Sequence, residues 1–200
     1  MKLFGSDTSP YVRKVRIVIA EKGVACDWVL ERPADSGGRF RELNPLGKIP
    51  VLETDNGNVI YDSPVIAEYL DSLSIPRLIP ETGDTRWQVQ TLHALGDGMM
   101  DAAVARMLEQ RKPADKQTAA TVRKQEGKIA DALRSLDSTA AIPFLVGNHF
   151  SMADIAIAAA LSYIDFRYAH DWRAHYPALA KWSESIFDRD SFTGTLPPDE

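Results

Sequence analysis

The chain has 200 residues, 44% of them hydrophobic and 26% charged, an ordinary globular composition that excludes a disordered or collagen-like protein. A net charge of −5 argues against broad phosphate-backbone binding, and one cysteine with 4 scattered histidines offers no disulfide and no Cys/His metal spacing. Arg13, Lys14 and Arg16 interrupt the apolar N-terminus before a signal-peptide core forms, and the weakly polar run from Ile155 to Ile164 is far short of the roughly 20 residues that span a bilayer. A cytoplasmic protein without nucleic-acid or membrane partners is therefore expected.

Lys2 to Gly5 is a short apolar run suited to a strand, and Ser6 to Ser9 is turn-like. Ser9 as N-cap, Pro10 at the first helical position, apolar Val12, Val15 and Ile19, and a stop at Gly23 predict a helix, so the chain opens as a βαβ unit. Cys26 to Leu30 is β-compatible, and the polar stretch Arg32 to Arg41 with Gly37-Gly38 reads as a loop. Pro50–Glu53 and Val59–Tyr61 are strand runs around Asp55-Asn56-Gly57-Asn58, where Asn-Gly signals an antiparallel hairpin. Ser63-Pro64 reads as a second N-cap serine before an N1 proline, with Val65, Ile66, Tyr69 and Leu70 at helical spacing. The first part thus reads β-α-β-α-β-β-α.

Ser74 to Asp84, with Pro76, Pro80 and Gly83, lacks any period and reads as a linker. Beyond it the pattern is helical. One long helix is expected from about Thr85 to Gln110, bent or weakened at Gly96 and Gly98, and a second around Val122, Ile129, Leu133 and Leu136. Phe150-Ser151-Met152-Ala153-Asp154-Ile155 is a capping box with a hydrophobic staple opening a buried, alanine-rich helix, and Leu179 to Phe187 is a last helix. The fold class is an α/β domain over 1–75, a linker over 76–84 and an all-helical domain over 85–200.

Three places could carry chemistry. At Thr8-Ser9-Pro10-Tyr11 the helix start favours an anion, including a thiolate, to which the Ser9 hydroxyl could donate; the commoner role of such a serine is to cap its own helix. At Ile49-Pro50 the proline removes a ladder donor and tolerates a cis peptide, leaving the Ile49 backbone to face a ligand, although a plain edge-strand proline fits too. At Asp62-Ser63 a carboxylate beside a helix start suits the zwitterionic head of an amino acid, while an ordinary cap with an acidic neighbour is the commoner reason for the pair. Cys26 is expected to be a buried small hydrophobe in a strand, and the histidines carry no assigned chemistry.

TSPYVRK, NPLGKIPVL and YDSPVIAEYL, followed by a Pro-rich linker and SMADIAIAAA, resemble in order and spacing the cytosolic glutathione S-transferases with a serine-type active site. The resemblance implies a thioredoxin-like glutathione-binding domain, and a helical domain supplying a pocket between the two parts for a small apolar electrophile. It implies Ser9 as catalytic residue on the glutathione sulfur, and Ser9, Lys48, Ile49, Pro50, Asp62 and Ser63 as glutathione-binding residues, with Asp62 in place of the commoner glutamate. Candidate pocket residues are Tyr11, Met99, Met100, Ala103, Arg106 and Met107, although a Met/Leu stripe is more often core, Tyr11 suits packing, and a solvated helix-face arginine is the commoner state of Arg106. It further implies glutathione as co-substrate, no metal or other cofactor, a homodimer and a role in detoxification. A glutathione-dependent isomerase or dehalogenase, and a non-catalytic binding or regulatory protein, are the alternatives. Ser9 in place of cysteine argues against thiol-disulfide chemistry.

Overall fold

The computed structural model describes residues 1–32, 39–140, 143–168 and 170–198. The chain forms two compact units: Met1–Ile79 together with the residues from Asp190 onward, and Pro80–Arg189.

In the first unit, β1 (Lys2–Gly5), α1 (Pro10–Lys22), β2 (Asp27–Leu30), α2 (Arg39–Leu43), β3 (Val51–Glu53), β4 (Val59–Ile60) and α3 (Ser63–Ser72) follow in the expected order. Among the described residues they make one four-stranded sheet, ordered β2-β1-β3-β4. β1 is parallel to β2 and antiparallel to β3, and β3 is antiparallel to β4. Leu3, Phe4, Val51 and Leu52 are all buried, so both faces of the two central strands are covered. Phe4 and Val51 share a cluster with Phe40 of α2, flanked by Val29, Leu43 and Ile49. α1 and α3 pack on one another. A Cβ on Gly5 would lie 2.5 Å from Cγ2 of Val12, so the β1–α1 approach leaves no room for a side chain there. The hairpin turns at Gly57 (φ 77°), with the Thr54 amide donating to the Asn58 carbonyl at 2.9 Å, as Asn-Gly leads one to expect. The loop expected over Arg32 to Arg41 falls largely on residues 33–38, outside the described residues; Arg39 to Arg41 belong to α2.

A buried carboxylate closes this unit. Asp71 of α3, 2% exposed, pairs with Lys22 Nζ at 2.9 Å and accepts the amides of Leu78 (2.7 Å) and Ile79 (3.0 Å). Lys22 Nζ also donates to the carbonyls of Ser74 and Pro76, both at 2.6 Å. The stretch expected to be linker from residue 76 is therefore part of the first unit as far as Ile79, because a carboxylate supplies the hydrogen bonds that a helix or strand would otherwise provide. The expected assignment of residues 190–200 to the helical domain is likewise corrected: α9 (Asp190–Thr193) packs against α1.

The second unit holds α4 (Asp84–Gln110), a 3-10 turn (Ala114–Lys116), α5 (Ala119–Thr139), α6 (Met152–Arg167), α7 (Trp172–His175) and α8 (Pro177–Phe187). α6 is apolar around its circumference and fully buried from Met152 to Leu161, as a central helix must be. Its capping box is present: Oδ2 of Asp154 accepts the Ser151 amide and hydroxyl, both at 2.9 Å, and Oδ1 accepts the Leu145 amide at 2.9 Å. Burial pushes the Asp154 carboxyl up from its ordinary range, and those donors oppose the shift. Gly96 does not break α4. A Cβ there would stand 2.7 Å from the backbone carbon of Ala156, so the glycine permits the close packing of α4 on α6.

Asp71→Ala leaves Lys22 buried without its counter-charge and two amides without acceptors. A loss of about 3–5 kcal/mol is expected; urea unfolding monitored by tryptophan fluorescence measures it, and a loss below about 1 kcal/mol would contradict the assigned role.

Candidate functional site

The register of the sheet brings the three candidate segments together. Phe4 lies opposite Val51 and Leu52 opposite Ile60. The C-terminal end of β1, the start of β3 and the end of β4 therefore share one edge of the sheet. From that edge emerge the Ser6 to Ser9 loop, Ile49-Pro50 and Tyr61-Asp62-Ser63. The parallel partner β2 also ends there, with Leu30 opposite Gly5, which places Arg32 4.0 Å from Asp7.

Ser9 is the N-cap of α1, with φ −81° and ψ 126° and Pro10 beginning the helix. Its Oγ accepts the Val12 amide at 3.4 Å, and the Arg13 amide bonds its carbonyl at 3.0 Å. Capping occupies the acceptor side of the hydroxyl, so its proton is still available for donation. The two roles weighed for this serine are thus compatible. No acidic residue lies in the first turn of α1 to offset the positive end of its dipole.

Ile49-Pro50 is a cis peptide, and Pro50 is buried. Ile49 precedes the ladder, which begins at Val51. Asn44, 1% exposed, shapes the approach: its side-chain amide donates to the Lys48 carbonyl at 3.0 Å, its Oδ1 accepts the Leu46 amide at 3.0 Å, and its carbonyl accepts the Gly47 amide at 2.7 Å. Sequence reasoning missed Asn44, although an Asn-Pro pair after a helix is a turn signal with a mechanism. Lys48 itself is exposed.

At the third segment the cap assignment is corrected by one residue. Asp62 is the N-cap of α3, its carbonyl accepting the Ile66 amide at 3.0 Å, while Ser63 is the first helical residue and Pro64 the second. Proline fits either early position, since both amides lack helical acceptors. The Asp62 side chain makes no cap hydrogen bond and is exposed, whereas Ser63 is 3% exposed. The Tyr61–Asp62 peptide is also cis.

Residues 8–73 match the model of the glutathione S-transferase N-terminal domain, and residues 101–185 that of the glutathione S-transferase C-terminal domain. The chain belongs to the glutathione S-transferase family. This transferase-family chain is 38% identical over 200 residues to YibF, an uncharacterized GST-like protein of Escherichia coli K12, covering 99% of each. A glutathione S-transferase from Methylobacillus flagellatus KT, solved with glutathione bound, matches at a TM-score of 0.94 and 42% identity, with 98% of this chain and 99% of that one covered. Maleylacetoacetate isomerase of Rattus norvegicus is 27% identical over 191 residues, 92% of this chain and 86% of the relative. Glutathione is the co-substrate of the family.

Of the candidates in the helical unit of this transferase-family chain, Met99, Met100 and Ala103 are buried, while Met107 and, in the first unit, Tyr11 are half-buried. Arg106 is not the solvated arginine expected. Its Nε donates to Glu126 at 2.9 Å and its Nη1 to Gln110 at 2.7 Å, and its Cζ lies 3.7 Å from the Tyr168 ring centroid. Burial, with the Glu126 charge, raises the Tyr168 hydroxyl above its ordinary value. Among the described residues no group of three His, Cys, Asp or Glu side chains could hold a metal, and no helix is long and apolar enough to cross a membrane.

Cys26 is corrected in two respects: it precedes β2, which begins at Asp27, and it is half-buried. Burial pushes its thiol above the ordinary range, so little thiolate exists at neutral pH. Alkylation of Cys26 by iodoacetamide at pH 7.5, followed by mass spectrometry, is therefore expected to run several-fold slower than that of a free small thiol.

Proposed function

We propose that the chain is a glutathione transferase in which Ser9 steadies the glutathione thiolate for attack on a small apolar electrophile. The observation that carries this reading is the position of Ser9: N-cap of α1, at the sheet edge it shares with Ile49-Pro50 and Asp62-Ser63. The relative from Methylobacillus flagellatus with glutathione bound supports it.

In this reading the Ile49 backbone pairs with the cysteinyl unit of glutathione, with Pro50 beside it. Asp62 receives the γ-glutamyl ammonium, Ser63 and the α3 amides receive its carboxylate, and Lys48 helps hold the peptide. A free thiol ionises near pH 8.5, so most glutathione is protonated at neutral pH. A depression of two units stabilises the thiolate by about 2.7 kcal/mol, which a hydroxyl donor at a helix N-terminus can supply. The thiol proton leaves to solvent and a carbon–sulfur bond forms. The bond to the leaving group then breaks with its electron pair, or, in an addition, the resulting carbanion takes a proton. A cytoplasmic homodimer acting in detoxification belongs to the same proposal.

The isomerase alternative is favoured by one observation, the likeness to rat maleylacetoacetate isomerase. The same thiolate would add to the substrate and leave again, so glutathione would be regenerated, whereas a transferase consumes it in equal amount to the electrophile.

Wild type is expected to bind glutathione in calorimetry and to conjugate an activated aryl chloride. Ser9→Ala is expected to retain binding and lose roughly 10²–10³ in kcat, the usual effect of removing one donor from a developing or reacting anion. Absence of glutathione binding at millimolar concentration would overturn the transferase reading in favour of a non-catalytic partner-binding role.

A further inference from the structure

A segment remote in sequence is fastened to the turn that presents Ser9. The Arg13 amide bonds the Ser9 carbonyl at 3.0 Å. Its guanidinium, 182 residues away from Thr195 in sequence, donates from Nε to that hydroxyl at 3.4 Å, and from Nη2 to the Phe192 carbonyl at 3.1 Å. The Thr195 hydroxyl donates to the Ser191 carbonyl at 2.7 Å, and the Ser191 hydroxyl donates to Glu21, two turns beyond Arg13 along α1, at 2.5 Å. Arg13 is 5% exposed, Phe192 1% and Thr195 6%. Thus α1 is held at both ends of one face by residues 191–195.

Two features of Ser9 make this clasp matter for chemistry. Its cap bond to Val12, at 3.4 Å, is long for an N–H···O contact, and Pro10 contributes no amide, so capping alone holds the hydroxyl loosely. The Arg13 Nε bond to Thr195 is as long, and the firmer hold on the guanidinium is the 3.1 Å bond to the Phe192 carbonyl. A hydrogen bond to a charged acceptor depends steeply on distance and angle. The direction of the Ser9 O–H is therefore set by whatever fixes the first turn of α1. Arg13 is suited to fixing it. Burial and the nearby Arg16 lower its pKa to about 10, still well above neutrality, so it stays charged and bonds a last-turn carbonyl of α9 as a cation.

We propose that residues 190–195 are a working part of the glutathione site, and that Arg13, held on the Phe192 carbonyl and the Thr195 hydroxyl, is a positioning residue that aims the Ser9 hydroxyl at the glutathione sulfur. The proposal rests on the transferase reading of Ser9.

The test uses the full chain with Thr195→Val, Arg13→Gln and Arg13→Lys, assayed with glutathione and an activated aryl chloride, with thiolate absorbance of bound glutathione followed against pH. Thr195→Val exchanges a hydroxyl for a methyl of the same shape, so it keeps the fold testable if Arg13→Gln does not fold. Thr195→Val and Arg13→Gln are expected to lower kcat roughly tenfold, the scale of a sub-ångström misplacement. They are also expected to raise the pKa of bound glutathione while moving its KM by less than about threefold, and Arg13→Lys to recover part of kcat. Variants that melt earlier yet keep wild-type kcat and thiol pKa would overturn the proposal, leaving the transferase reading intact. A wild-type chain that binds no glutathione would overturn both.

Discussion

Phe4 facing Val51, and Leu52 facing Ile60, is the constraint from which the rest of the first unit follows. Side chains on a strand alternate between faces, so a slip of one residue in β3 would carry Val51 and Leu52 each to the opposite face. It would also move Pro50 and Ile49 along the edge, away from the end of β1. The same pairings that bury Phe4 against Phe40 and Val51 therefore set the spacing of the loop before α1, the approach through Asn44 and the start of α3. Packing and the site share one set of contacts.

Buried charge does the remaining organisation. Asp71 and Asp154, one in each unit, both collect backbone amides from segments that lack regular structure: Leu78 and Ile79 in one case, Leu145 and Ser151 in the other. An irregular stretch brought into a protein interior must find acceptors for its amides, and a carboxylate offers several in a small volume. Its desolvation is offset by those bonds together with the Lys22 charge at Asp71 and the Ser151 hydroxyl at Asp154, which explains why each of these side chains gathers several donors. Arg13 is the cationic counterpart, directing its donors to a carbonyl and a hydroxyl instead of to open water.

Much of this was legible in the residues because it is local. Ser9, Pro10 and Gly23 mark the ends of α1 within one turn of each end, Asn56-Gly57 marks the hairpin, and Ser151 with Asp154 marks the start of α6. What escaped reading depends on partners far along the chain. Nothing near Arg13 announces Phe192 or Thr195, Lys22 does not announce Asp71, and Arg106 looks solvated until Glu126 and Tyr168 are brought beside it. The one-residue error at Ser63 has a different origin. A serine before a proline scores well as a cap, yet both residues are tolerated inside the first turn, and only the Ile66 amide bonding the Asp62 carbonyl distinguishes the two.

Because the chain leaves the first unit at Ile79 and returns to it at Asp190, that unit is assembled from two stretches separated by the whole of the second. During synthesis at about 5–20 residues per second, the intervening 110 residues occupy the ribosome for roughly 5–20 s after Ile79 has been added. Throughout that interval the residues 191–195 that Arg13 and Glu21 bond in the finished fold have not yet been added. The first unit is thus completed only once residues 190–195 have been added, after the whole of the second unit has been made.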